Sequence, residues 1–148
     1  MIGPGEGNAE GGLVLIDTSV WIEALRPGGD EGCRRAVARL VEEGQAATCE
    51  IIIAELLRGA ADEEQAKEWA GMLRALEVLP MDGVAEVAGR ISRRGRARGM
   101  TQPLGDVLIA AVALKHGAAL LHRDRHLSEI AGIMGMKEER VQGGWHGT

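Results

Sequence analysis

The chain has 148 residues, 45% of them apolar, which suits one domain with a core of its own. It has no apolar run near the ~18 residues of a membrane span, no basic and apolar N-terminal secretion signal, and only Cys33 and Cys49 as thiols, too few for a disulfide framework or a four-thiolate zinc site. A net charge of −5, with no Phe or Tyr, excludes a uniformly basic nucleic-acid binder and a base-stacking platform, and leaves a cytoplasmic protein that would meet nucleic acid through phosphates, a local basic patch or metal ions.

Residues 1–12 are Gly-rich and read as a flexible leader, residues 13–142 as one folded domain, and residues 143–148 as a flexible tail. Leu13 to Ile16 is a continuous apolar run ending at Asp17, the pattern of a strand buried on both faces. Thr18 or Ser19 can cap a helix bearing Trp21, Ile22 and Leu25, and a second helix spans Asp30 to Glu43. A short strand at Ala46–Thr48 precedes helices at Ile51–Arg58 and Asp62–Leu76. Glu77–Met81 reads as a strand and Gly83 to about Arg98 as an arginine-rich helix. An apolar helix at Pro103–His116 starts at Thr101/Gln102. Ala119–His122 is a further buried strand, followed by a helix at Leu127–Met134 and an edge strand at Lys137–Val141. Strands alternating with helices predict an α/β fold, a parallel sheet of four to five strands covered on both faces.

Four acids stand out. Asp17 and Asp124 lie where apolar strands end, the place where parallel sheets bind ligands, although each also suits the cap of the next helix. Glu55 sits in the apolar run Ile51–Leu57, and Asp106 opens a helix apolar almost all round. A carboxylate in such company is costly unless paired, hydrogen-bonded or bound to metal. Pairing of Glu55 with Arg58 and a dipole role for Asp106 are the plain alternatives. If the four converge, they cannot all ionise without a cation, and an all-oxygen set selects Mg²⁺ or Mn²⁺. Such ions support in-line hydrolysis of a phosphodiester.

The segments Leu15-Ile-Asp17-Thr-Ser-Val-Trp-Ile22, Ala54-Glu55-Leu-Leu-Arg-Gly59, Asp106-Val-Leu-Ile-Ala-Ala111 and Arg123-Asp124-Arg-His-Leu127 resemble, in order and spacing, the motifs of PIN-domain proteins. More narrowly, they are similar to the VapC toxins of toxin–antitoxin pairs, over roughly residues 13–142. The resemblance implies a three-layer α/β/α fold and a Mg²⁺- or Mn²⁺-dependent ribonuclease acting on structured tRNA or rRNA. It implies Asp17, Glu55, Asp106 and Asp124 as the catalytic, metal-holding acids, with Ser19 in support. It also implies a cognate antitoxin lying over helical grooves near the site, and a homodimer. His122 departs from the pattern, because similar proteins carry Thr or Ser two residues before the last acid. An imidazole there can orient a carboxylate, contact phosphate, or face solvent at the strand end.

Five arginines, Arg90, Arg93, Arg94, Arg96 and Arg98, crowd nine residues, and Arg123, Arg125 and His126 flank Asp124. They read as a grip on RNA phosphates or as a solvated face. A PIN nuclease that processes RNA without an antitoxin, and a non-catalytic PIN-like binding module, are the nearest competing readings. A phospho-acceptor domain fits less well: it wants paired acids after the first strand, where Asp17 is followed by Thr18 and Ser19. An aspartyl-nucleophile phosphatase wants a second acid at the place of Ser19.

Overall fold

The computed structural model describes residues 12–142. The expected leader (save Gly12) and the expected tail lie outside the described residues. The elements run β1 (Val14–Ile16), α1 (Thr18–Leu25), α2 (Glu31–Glu42), β2 (Ala46–Thr48), α3 (Glu50–Leu57), α4 (Glu63–Arg74), β3 (Glu77–Val78), α5 (Val84–Ala97), α6 (Leu104–His116), β4 (Ala119–His122), α7 (Arg125–Met134) and β5 (Glu138–Arg140). The strands form one five-stranded sheet in the order β3-β2-β1-β4-β5, every neighbouring pair parallel. Among the described residues no helix is long and apolar enough to cross a membrane.

Burial follows from the apolar runs. Leu15 and Ile16 of β1 and Ala47 of β2 are fully buried, as a central parallel strand covered by helices on both faces requires. Helix α6 buries Val107 and every residue from Ile109 to Ala113, so its apolar circumference reflects packing all round. Trp21 joins the core, while Trp69 is half-buried against it.

Helix starts differ from the sequence reading in several places, and α7 begins at Arg125, two residues ahead of Leu127. The cap of α1 is Asp17, whose carboxylate accepts the Ser19 N–H at 3.0 Å, and not Thr18 or Ser19. Helix α6 begins after Pro103 with no side-chain cap, and Gln102 is buried with its amide 3.3 Å from Glu129 Oε1. Strand β3 has two residues instead of five. Leu79 N–H still bonds the Thr48 carbonyl at 2.8 Å, but Pro80 has no N–H to carry the ladder further.

The topology fixes where a site can form. From β1 the chain winds outward through β2 to β3, then crosses back to lay β4 and β5 on the other side of β1. Connections therefore leave β1 and β4 in opposite senses and open a crevice at their carboxyl ends. Asp17 follows β1 there and Asp124 follows β4.

Candidate active site

Four separate stretches of chain deliver acids to one open cavity of about 540 Å³ at that crevice: Asp17 from the end of β1, Glu55 from α3, Asp106 from the first turn of α6, and Asp124 from the start of α7. Thr18, Ser19 and Arg58 also line it. The acids arrive by two local rules. Asp17 and Asp124 are N-caps, placed by the strand-to-helix turns they stabilise, with Asp124 Oδ1 accepting the His126 N–H at 2.7 Å. Glu55 and Asp106 ride on helices whose other faces are held in the core.

Hydroxyl groups tie these pieces together. Ser19 Oγ donates to Asp17 Oδ2 and accepts the Arg123 N–H at 3.0 Å, so one hydroxyl joins the turn after β1 to the turn after β4. Thr18 Oγ1 donates to Glu55 Oε1 at 2.7 Å, and this is the partner Glu55 takes rather than Arg58. Gly105 makes room for the same carboxylate, because a Cβ there would lie 3.0 Å from Glu55 Oε2.

The cavity concentrates negative charge. Burial first, then the neighbouring charges of Asp124, Asp17 and Glu55, push the Asp106 carboxyl up to about 7. Asp17 is also raised, chiefly by burial, with Glu55 and Asp124 adding to it and the two hydrogen bonds from Ser19 opposing it. A cation would relieve this repulsion, and the donors are oxygen throughout, which suits Mg²⁺ or Mn²⁺. Among the described residues no three acidic, His or Cys side chains stand close enough together to hold a metal ion as they are placed. The acids instead surround an open space, which fits a cation that keeps several of its waters.

The remaining expected site residues divide. His122 is fully buried, not solvent-facing: Leu120 to His122 of β4 are buried in succession, and its ring bonds the Asp124 N–H and the Glu138 carboxylate. Arg123 is drawn to Glu23 on α1 at 3.4 Å. Arg125 is exposed beside Asp124. Arg93, Arg94, Arg96 and Arg98 are exposed on and just after α5, which packs against the two helices that carry Asp106 and follow Asp124, but none of them lines the cavity. The cationic side chain at the cavity is Arg58, which the sequence offered only as an ion-pair partner for Glu55. Thr18 was visible as a helix-start residue, but its reach across 37 positions to Glu55 has no sequence signal.

The PIN domain family matches residues 14–133. The VapC ribonuclease Mb1587 of Mycobacterium bovis is 36% identical over 130 residues, which covers 84% of this chain and 96% of that protein. The fold is similar to that of VapBC2 from Rickettsia felis bound to a promoter DNA fragment, with a TM-score of 0.73 at 19% identity over 88% of this chain and 99% of that one. It is also similar to VapBC-5 from Mycobacterium tuberculosis, a member of the VapBC family of toxin–antitoxin systems, with a TM-score of 0.60 at 24% identity over 87% and 98%. At such identities the structural likeness speaks for the fold, and the sequence match carries the kinship. The chain belongs to the PIN-domain family and, within it, to the VapC-type ribonucleases.

Proposed function

We propose that this protein is a divalent-metal-dependent endoribonuclease, the toxin of a toxin–antitoxin pair, acting in the cytoplasm on structured tRNA or rRNA. The observation that carries the reading is the arrival of four acids from four chain segments at one cavity in the crevice between β1 and β4. Asp17, Glu55, Asp106 and Asp124 would hold Mg²⁺ or Mn²⁺ there. The chemistry such an ion supplies when bound is activation of water and stabilisation of charge on a phosphodiester.

The chain's own groups do the rest. Ser19 and Thr18 fix Asp17 and Glu55 by hydrogen bonds, so the carboxylates need little reorganisation when substrate arrives. Arg58 puts a positive charge at the cavity, where a scissile phosphate would enter. Arg93, Arg94, Arg96, Arg98 and Arg125 stand exposed and would hold flanking phosphates, while Arg123 is committed to Glu23 and steadies the turn before Asp124. The open mouth suits a folded RNA whose backbone, more than its bases, is held, in keeping with a surface poor in aromatic side chains.

An apolar groove of about 780 Å³ lies apart from the acids, between α1, α2 and α4, lined by Trp21, Leu25, Val37, Val41, Met72 and Leu76. Val41 is 45% exposed there, and the Trp21 indole N–H is buried with no acceptor. A segment of the antitoxin would cover it, and a homodimer belongs to the same reading.

The test is RNA cleavage by protein stripped of any copurifying partner, with Mg²⁺ or Mn²⁺ and with EDTA, beside Asp106→Asn. Metal-dependent cleavage that is lost in the variant is expected. A folded, metal-binding protein that leaves both total tRNA and rRNA intact would overturn the reading in favour of a binding role.

A further inference from the structure

The cavity's acids are held from within by Ser19 and Thr18, but Asp124 is also held from behind. His122, the last residue of β4, is fully buried, and its Nδ1 lies 3.0 Å from the Asp124 backbone nitrogen. That backbone N–H can only donate, so Nδ1 accepts and carries no proton. The ring proton therefore sits on Nε2, which donates to Glu138 Oε1 at 2.7 Å. Strand register explains the meeting. Glu138 of β5 is paired with Leu120 of β4, and His122, two residues on, faces the same side of the sheet. The Val141 N–H closes the same corner on the His122 carbonyl at 2.7 Å. The Glu138 side chain is 31% exposed, so water can serve its other oxygen.

We infer that Glu138 and His122 form a positioning pair that sets the Asp124 corner of the acidic cavity from the edge strand. The inference rests on the reading of Asp124 as a member of the site. A shorter Thr or Ser side chain at position 122 would reach only its own turn. The imidazole spans from that turn to the neighbouring strand and makes a carboxylate 14 positions after Asp124 part of the site's geometry. Glu138 fixes which nitrogen bears the proton, and that choice leaves Nδ1 open to receive the Asp124 N–H. Without Glu138 the buried Nε2–H has no acceptor, the ring is released to change tautomer or rotate, and Asp124 loses its backbone anchor. Groups that orient ligands in this way are worth about 10–100-fold in metal affinity when removed.

The experiment uses the full chain with Glu138→Ala, Glu138→Gln and, as an edge-strand control, Glu139→Ala. Nitrogen NMR of the His122 ring reads the tautomer, and calorimetric titration with Mn²⁺ alone reads the site. The wild type is expected to show a single Nε2–H tautomer. Glu138→Ala should lose it and bind Mn²⁺ about tenfold more weakly. Glu138→Gln, whose amide oxygen still accepts, should restore both readings, and Glu139→Ala should change neither. A proton on Nδ1 in the wild type overturns the pairing whatever the metal does. So does a Glu138→Ala protein that melts earlier yet keeps its tautomer and its Mn²⁺ affinity, since a merely structural strand contact would behave that way. Asp124→Asn separates the two levels. If it leaves Mn²⁺ binding unchanged, the acidic-site reading fails and the tautomer alone decides the pair.

Discussion

The two acids at strand ends and the two on helices reach the same cavity under different obligations. Asp17 and Asp124 are structural as well as chemical, since each caps the helix that follows and each takes hydrogen bonds from backbone N–H groups. Asp106 has no such compensation: it opens a buried helix, and both burial and three neighbouring carboxylates disfavour its charge. Capping offsets part of the cost of the strand-end acids, although burial still raises Asp17, whereas Asp106 carries its cost without a cap. On the proposed reading, a bound cation would relieve the cost that Asp106 carries.

Opposite stability effects for equal losses of activity would expose the asymmetry most sharply. Asp17→Ala should abolish cleavage and also destabilise the protein by about 1 kcal/mol, because α1 loses its cap. Asp106→Asn should abolish cleavage while raising the thermal midpoint of the metal-free protein at neutral pH, because it removes a charge and little else. Thermal melts of both variants in EDTA check this, and a destabilised Asp106→Asn would break the comparison.

A pH titration of stability sharpens it next. The Asp106 carboxyl is raised to about 7 from an ordinary value of 3.8, so between those values the folded protein holds a proton that the unfolded chain has released. Its contribution is full below 3.8 and is lost as pH rises towards 7. For a group half open to solvent this amounts to about 1–2 kcal/mol after screening is allowed for. Melting of the metal-free protein should therefore weaken across that window more than melting of Asp106→Asn. Excess Mg²⁺ should recover the loss at neutral pH by binding the ionised form.

The smallest effect concerns the arginines, which lie off the cavity. Replacing Arg93 and Arg94 together by Ala should leave metal binding untouched and weaken RNA binding, with the slope of log affinity against log salt reduced by about 1–2. An unchanged slope would mark α5 as a solvated face.

The alternation of strands and helices made the parallel sheet and nearly every helix legible, and the four acids stood out because two end apolar strands and two sit in apolar helical runs. The cap of α1 stayed open between Asp17 and Thr18 or Ser19, because all are good caps and only backbone geometry chooses among them. The tethers were illegible for a different reason. Glu138 stands in a run with Glu139 and Arg140 that reads as any polar edge, and only its register beside Leu120 turns it toward His122. Likewise Thr18 meets Glu55, and Ser19 meets Arg123, across distances in sequence that no local pattern spans.

The place of β1 at the centre of the sheet carries a consequence for synthesis. Its partner on the active side, β4, lies roughly a hundred residues further along the chain. A ribosome making this protein therefore releases Asp17 early and completes the crevice only when nearly all of the domain has emerged. Chains halted before β4 carry Asp17, Glu55 and even Asp106 yet have no strand to close the cavity around them. The acidic cavity is thus a late product of translation, and a chain halted before β4 lacks it.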